Sequence, residues 1–184
     1  MANNYAVVRT DKMYGTDVRS GLVSIKYIVV DNSGSSPVDV PTAIENGNVL
    51  KVGALMGDAT KGYEREVYQG SAPAANDALA DIVLIATPEV LYDERLHNLS
   101  DFRNEADGIC RGYRLHTGDI FSVTKEALDG AAAPAIGDVV ELKAGTKLNV
   151  VAAATGATSG STVIGEIIAI DQTSRYKYFV IQVA

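Results

Sequence analysis

Apolar and polar residues along this chain change places in short runs. "YAVVRT", "LVSIKYIVVD", "NVLKVGAL", "DIVLIAT", "GYRLH", "DIFSVT", "DVVELKA", "KLNVVAAA", "VIGEIIAID" and "RYKYFVIQV" are rich in β-branched and aromatic residues. Gly, Asn, Asp and Ser separate them, which is the pattern of short strands joined by turns. In the last run Phe179, Ile181 and Val183 share one face with Lys177, while Tyr176, Tyr178, Val180 and Gln182 share the other. A strand so apolar is expected inside a sheet, since a loose edge of this kind invites aggregation.

Turn chemistry supports a mainly β protein. Asn46-Gly47 supplies two residues that tolerate positive φ just before "NVLKVGAL", and Ala144-Gly145 does the same later. Residues 31–42, 68–77 and 129–138 are Gly-, Pro-, Ala- and Ser-rich and read as loops. The stretch "LSDFRNEADG", with Ser100 as N-cap and Gly108 as stop, predicts one short helix near 100–107. "PEVLYDERLHNL" fits either a second helix or a continued strand. Gly118-Asp119 and Gly137-Asp138 each introduce a strand, and the runs that follow are enough for a small barrel or sandwich. The likeness of "NGNVLKVGAL" to "IGDVVELKAG" is read as shared hairpin grammar. The expected architecture is a short-stranded β-barrel or sandwich with one or two short helices. It divides into an N-terminal arm (1–20), a β-rich body (21–116) and a small C-terminal barrel (117–184).

Composition narrows the partners. With 47% hydrophobic and 21% charged residues in 184, the chain suits a folded domain. A net charge of −7, from 23 acids and 16 bases, repels phosphate, so nucleic acid is not an expected partner. No apolar run approaches the ~20 residues that span a bilayer. The start "MANNYAVVRTDK" lacks the basic and apolar segments of a secretory signal, which points to folding in a cytoplasm. Cys110 is the sole cysteine, leaving no internal disulfide and no thiolate metal cage.

Candidate chemistry is sparse. His97 and His116 have Asp93, Glu94, Asp101, Glu105 and Asp119 near them in sequence, but without helical H-E-x-x-H spacing they read as surface histidines. Cys110 lies beside Arg111 and Arg114, a setting that lowers a thiol pKa, yet a lone strand cysteine reads as a small core residue. "GDATKGYE" and "ATGATSGST" lack the endings of phosphate loops, and Ser24, Ser71 and Ser100 sit in no nucleophile elbow. The Asn98 "NLS" acceptor is a chance match without a secretory signal. "YEREVY" and "YDER" offer a carboxylate pair or, as the favoured reading, a solvated or interfacial face. No catalytic, cofactor-binding or metal residue is assigned, and the expectation is a non-enzyme without cofactors.

"MANNYAVVRT", "GDIFSVTKEAL" and "GDVVELKAGTKLNVV…VIGEIIAIDQTSRYKYFVIQVA" together resemble the small auxiliary head proteins of tailed bacteriophages. Those commonly carry a G-D-x-V-x-L strand, a Thr/Gly/Ala-rich hairpin and a closing x-x-G-x-I strand. Gly137 to Leu142 and Ile164 to Ile168 match that pattern, and the likeness is best from Gly118 to Ala184. It implies a virion decoration protein that binds the major capsid protein and braces the shell, as a homotrimer or other homo-oligomer, made in a host bacterial cytoplasm. Capsid contacts are then expected in the arm, at Asn3, Tyr5, Arg9, Lys12, Tyr14 and Arg19, unless Tyr5 to Thr10 is an ordinary first strand. The alternatives are a tail-tube or head-completion subunit, or a cellular β-barrel ligand-binding module with "ATGATSGST" over a pocket.

Overall fold

The run Ile82–Ile85, four buried apolar residues in succession, explains how the molecule is assembled. A strand with one wet face alternates; a strand apolar throughout has a core on each side. In the computed structural model, which describes residues 4–9, 21–57, 66–90 and 98–184, this strand is shared by two cores. Val83 and Ile85 point into one cluster with Val23, Ile25, Leu50 and Cys110. Ile82 and Leu84 point into a larger one with Phe121, Val123, Leu148, Ile164, Phe179 and Ile181.

The first cluster fills a closed barrel. Its strands are β1 (Leu22–Asp31), β3 (Val49–Leu55), β4 (Val67–Ser71), β5 (Ile82–Ile85) and β6 (Cys110–Arg114). The order β1-β4-β3-β5-β6 returns to β1 through an antiparallel β1–β6 pairing, so five strands close. Closure depends on one parallel pair, Ser24 to Tyr27 of β1 against Val67 to Gly70 of β4. Strand β2 (Val38–Pro41) pairs only with the far end of β1 and extends the sheet as a ribbon.

The second sheet holds β7 (Ile120–Val123), β8 (Leu128–Gly130), β9 (Val139–Glu141), β10 (Leu148–Val151), β11 (Val163–Gln172) and β12 (Lys177–Val183). Its order is β7-β12-β11-β9-β10-β8, and it curls into a half-barrel without closing. Register shifts at Val163/Gly165 and Ile167/Ala169 bend β11, as bulges do.

The chain is mainly β, as its alternation predicts, but several features differ from expectation: residues 31–42 and 68–77, read as loops, hold β2 and most of β4, whose pairing with β1 is long-range or at the sheet margin. The closed barrel lies in 21–116, and 117–184 is the open sheet; the deciding β1–β4 pairing is non-local and leaves no mark in either segment. The chain changes sheet between β6 and β7, and the larger core draws on residues from both sides of that change. The helix expected near 100–107 is a single 3-10 turn, Leu99–Asp101. Phe102 is already extended, and Asn104 is drawn into a bridge with Ile44 that no helix permits. Asn46-Gly47 is a turn into β3 but not a hairpin, since β2 and β3 are unpaired; residues 144–145 do join the paired β9 and β10. Of "PEVLYDERLHNL", residues 88–90 belong to no helix or strand, and 91–97 lie outside the described residues.

Candidate functional site

Two of the six residues expected to touch a partner are tied into the protein itself. Residues 5–9 form a strap across both sheets. The Tyr5 amide donates to Ser100 O (3.1 Å), and Ala6 N to Glu45 Oε2 (3.0 Å), both on the barrel side. Val7 N donates to Thr124 Oγ1 (3.1 Å), Thr124 N returns a bond to Val7 O, and Arg9 N donates to Ser122 O. Side chains alternate as a strand's do: Ala6 and Val8 enter the large core, while Val7 packs on Tyr176 and Tyr178. The strap therefore covers Tyr176 and the Tyr178 end of the outer face of β12, which is why both tyrosines are buried.

Arg9 crosses that face to Asp171 (Nη1–Oδ2 2.8 Å) with its guanidinium 5.3 Å from the Tyr178 ring centroid. Tyr5 is half-buried with the Arg103 guanidinium 5.7 Å from its ring. Asn3, Lys12, Tyr14 and Arg19 lie outside the described residues, as does His97.

The reactive groups are occupied or suppressed. Burial pushes the Cys110 thiol up to about 11, so the neighbouring arginines do not make it a nucleophile. His116 faces Asp119 (3.7 Å) in a turn, and among the described residues no three His, Cys, Asp or Glu are grouped to hold a metal. Asp77 is held below the usual carboxylate range, first by the Lys51 ammonium it binds and also by the Ala74 amide.

Acidic turns recur instead. Ala74, Asn98, His116 and Ala135 each donate a backbone N–H to the carboxylate three residues on, at Asp77, Asp101, Asp119 and Asp138. Each aspartate N–H bonds back to the carbonyl of that first residue. Two of these are the Gly-Asp pairs visible in sequence. Asp138 also accepts from Ala153 N (3.1 Å), so one carboxylate starts β9 and fixes the loop after β10. Gly137 sits at φ +88, where an L side chain is strained.

Buried Glu141 continues this scheme. Desolvation raises its pKa, but hydrogen bonds from Thr158 and Asn149 outweigh that and hold it below the ordinary glutamate value. The "ATGATSGST" loop is thus pinned at Ala153, at Thr158 and, through Thr162 N to Ala75 O, to the barrel side. Gly165 allows β11 to approach β12, since a Cβ there would overlap the Gln182 carbonyl.

What remains open to a partner is surface. The β1–β2 ribbon exposes Val29, Val30, Val38 and Val40. A groove of about 510 Å³ lies between the segment 125–134 and the β11–β12 turn, with Lys125, Arg175 and Lys177 against Glu126, over Pro134 and Phe179. These residues are spread across distant segments, and the half of the ribbon in β2 lies in residues 31–42, which read as a loop in the sequence. No protein-family model, curated protein or solved structure matches the chain.

Proposed function

We propose that this protein is a virion structural component that decorates and stabilises the outside of a tailed-phage capsid, binding the major capsid protein as a homo-oligomer. One observation carries the reading: the residues behind the likeness to auxiliary head proteins are those that build the second sheet. Gly137-Asp138 starts β9, Glu141 pins the Thr/Gly/Ala-rich loop, and Gly165 admits β12. The role also needs a well-braced β body, and the strap and the acidic turns supply one. Many equivalent sites on a lattice make weak single contacts effective.

With Tyr5 and Arg9 engaged in the body, shell contacts fall to Asn3, Lys12, Tyr14 and Arg19, which flank the strap in sequence. The test is co-sedimentation with expanded capsids that lack the protein, with copies counted per particle. Saturation at hundreds of copies supports decoration, and tens point to a tail or neck subunit. Absence of binding overturns the reading. Alanine at Asn3, Lys12, Tyr14 and Arg19 together is expected to remove binding without lowering the melting temperature.

A further inference from the structure

The β1–β2 ribbon is built unlike the rest of the molecule. Its register pairs Val29 with Val40 and Asp31 with Val38, which places these four side chains on one face. Val29, Val38 and Val40 are 40%, 57% and 40% exposed, and Val30 on the opposite face is 47% exposed. A two-stranded ribbon is marginal alone in water, and contiguous apolar surface of this kind marks a binding face. Strand β2 has β1 on one side and no strand of the described residues on the other, so it presents an open edge.

The ribbon's charge is of one sign. From Ile28 to Pro41 there are two acids, Asp31 and Asp39, and no Lys or Arg. The groove has the opposite character: Lys125, Arg175 and Lys177 outnumber Glu126 beside the exposed Ala132 and Ala133. The Lys177 ammonium sits 5.4 Å from the ring of buried Phe179, and the Arg175 guanidinium 6.0 Å from the ring of buried Tyr176, so each cation is held against a ring by the body of the protein. In a chain of net charge −7, this concentration of positive charge beside apolar surface is local.

We propose that the ribbon of one copy seats in the Lys125/Arg175/Lys177 groove of a second copy. Valines meet the exposed Ala132 and Ala133, while Asp31 on the valine face and Asp39 on the other face meet cations on the two walls of the groove. Complementary charge steers the encounter and fixes register and partner. Because ribbon and groove are different patches of the same chain, the contact is head-to-tail and closes into a ring when the rotation allows. This contact needs no capsid, and its test is independent of the decoration reading.

The test is sedimentation velocity and light scattering of the purified chain over a concentration series. Wild type is expected to associate, and less so as salt rises. Reversing the groove (Arg175→Glu with Lys177→Glu) or the ribbon (Asp31→Lys with Asp39→Lys) is expected to weaken association at least about tenfold, by like-charge contact. Combining all four reversals in one chain restores it. Unchanged melting curves show that each variant is folded. A wild-type chain monomeric at every concentration overturns the proposal, as does a fourfold reversal that stays monomeric. Ribbon reversals that abolish capsid binding by a chain already monomeric overturn it too, and give the ribbon to the shell.

Discussion

Arg9 and Asp171, 162 residues apart, form a 2.8 Å ion pair across the ring of Tyr178. The pair locks the strap onto the second sheet at the point where β11 and β12 face each other, Asp171 opposite Tyr178. Arg9 is largely buried and Asp171 is 41% exposed, so the pair is only partly screened by water. A double-mutant cycle with Arg9→Ala and Asp171→Ala, read by guanidinium denaturation, is expected to give a coupling of about 1 kcal/mol.

Loss of the strap costs more than loss of this pair. Val8 is 2% exposed and touches the large core, so Val8→Asp is expected to destabilise by about 3–5 kcal/mol. Truncation through residue 9 should likewise lower the melting temperature sharply. A truncated chain with wild-type stability would show that the strap is dispensable.

Two glycines should separate by mechanism. Gly137→Ala strains a left-handed residue in open surroundings and is expected to cost about 1–2 kcal/mol. Gly165→Ala drives a methyl into the Gln182 carbonyl and should cost about 3 kcal/mol or more, as overpacking against backbone. Equal losses in chemical denaturation would contradict the close β11–β12 approach.

Glu141 predicts an acid limb in the stability curve. Its folded pKa is depressed, so its contribution is complete above the unfolded value of about 4.3 and is lost as pH falls through the lower folded value. Thermal melts from neutral pH down through that window should fall more steeply for wild type than for Glu141→Gln. The two curves should converge at the acid end.

Cys110 should be inert in the native state. At pH 8 a thiol with a pKa near 11 is roughly a thousandth ionised, and burial blocks the reagent as well. Labelling by a disulfide reagent should be slow in buffer and immediate in denaturant. Fast native labelling would place the thiol outside the barrel core.

The β content and the two Gly-Asp strand starts were legible because each is local: period-two alternation and a Gly-Asp pair act on neighbouring residues. The cap grammar around Ser100 was also visible, yet it produced one 3-10 turn. Extension from there is imposed by the Ile44–Asn104 bridge, across 60 residues. The parallel β1–β4 pair that closes the barrel, and the strap that covers Tyr176 and Tyr178, are long-range in the same way. The ribbon and groove escaped for a further reason. Their residues are ordinary in type, and only folding brings Lys125 to the same groove as Arg175 and Lys177.

The strap also sets the order in which a nascent chain becomes a finished one. Val7 and Arg9 precede their partners Ser122, Thr124 and Asp171 by more than a hundred residues. At about 5–20 residues per second the ribosome needs roughly 8–30 s to reach Asp171. Throughout that interval Val7 lacks Tyr176 and Tyr178, the side chains it packs on. The strands of the barrel are complete at Arg114, whereas residues 7–9 wait for partners that extend to Tyr178, and in between their apolar side chains are open to chaperones and to self-capture.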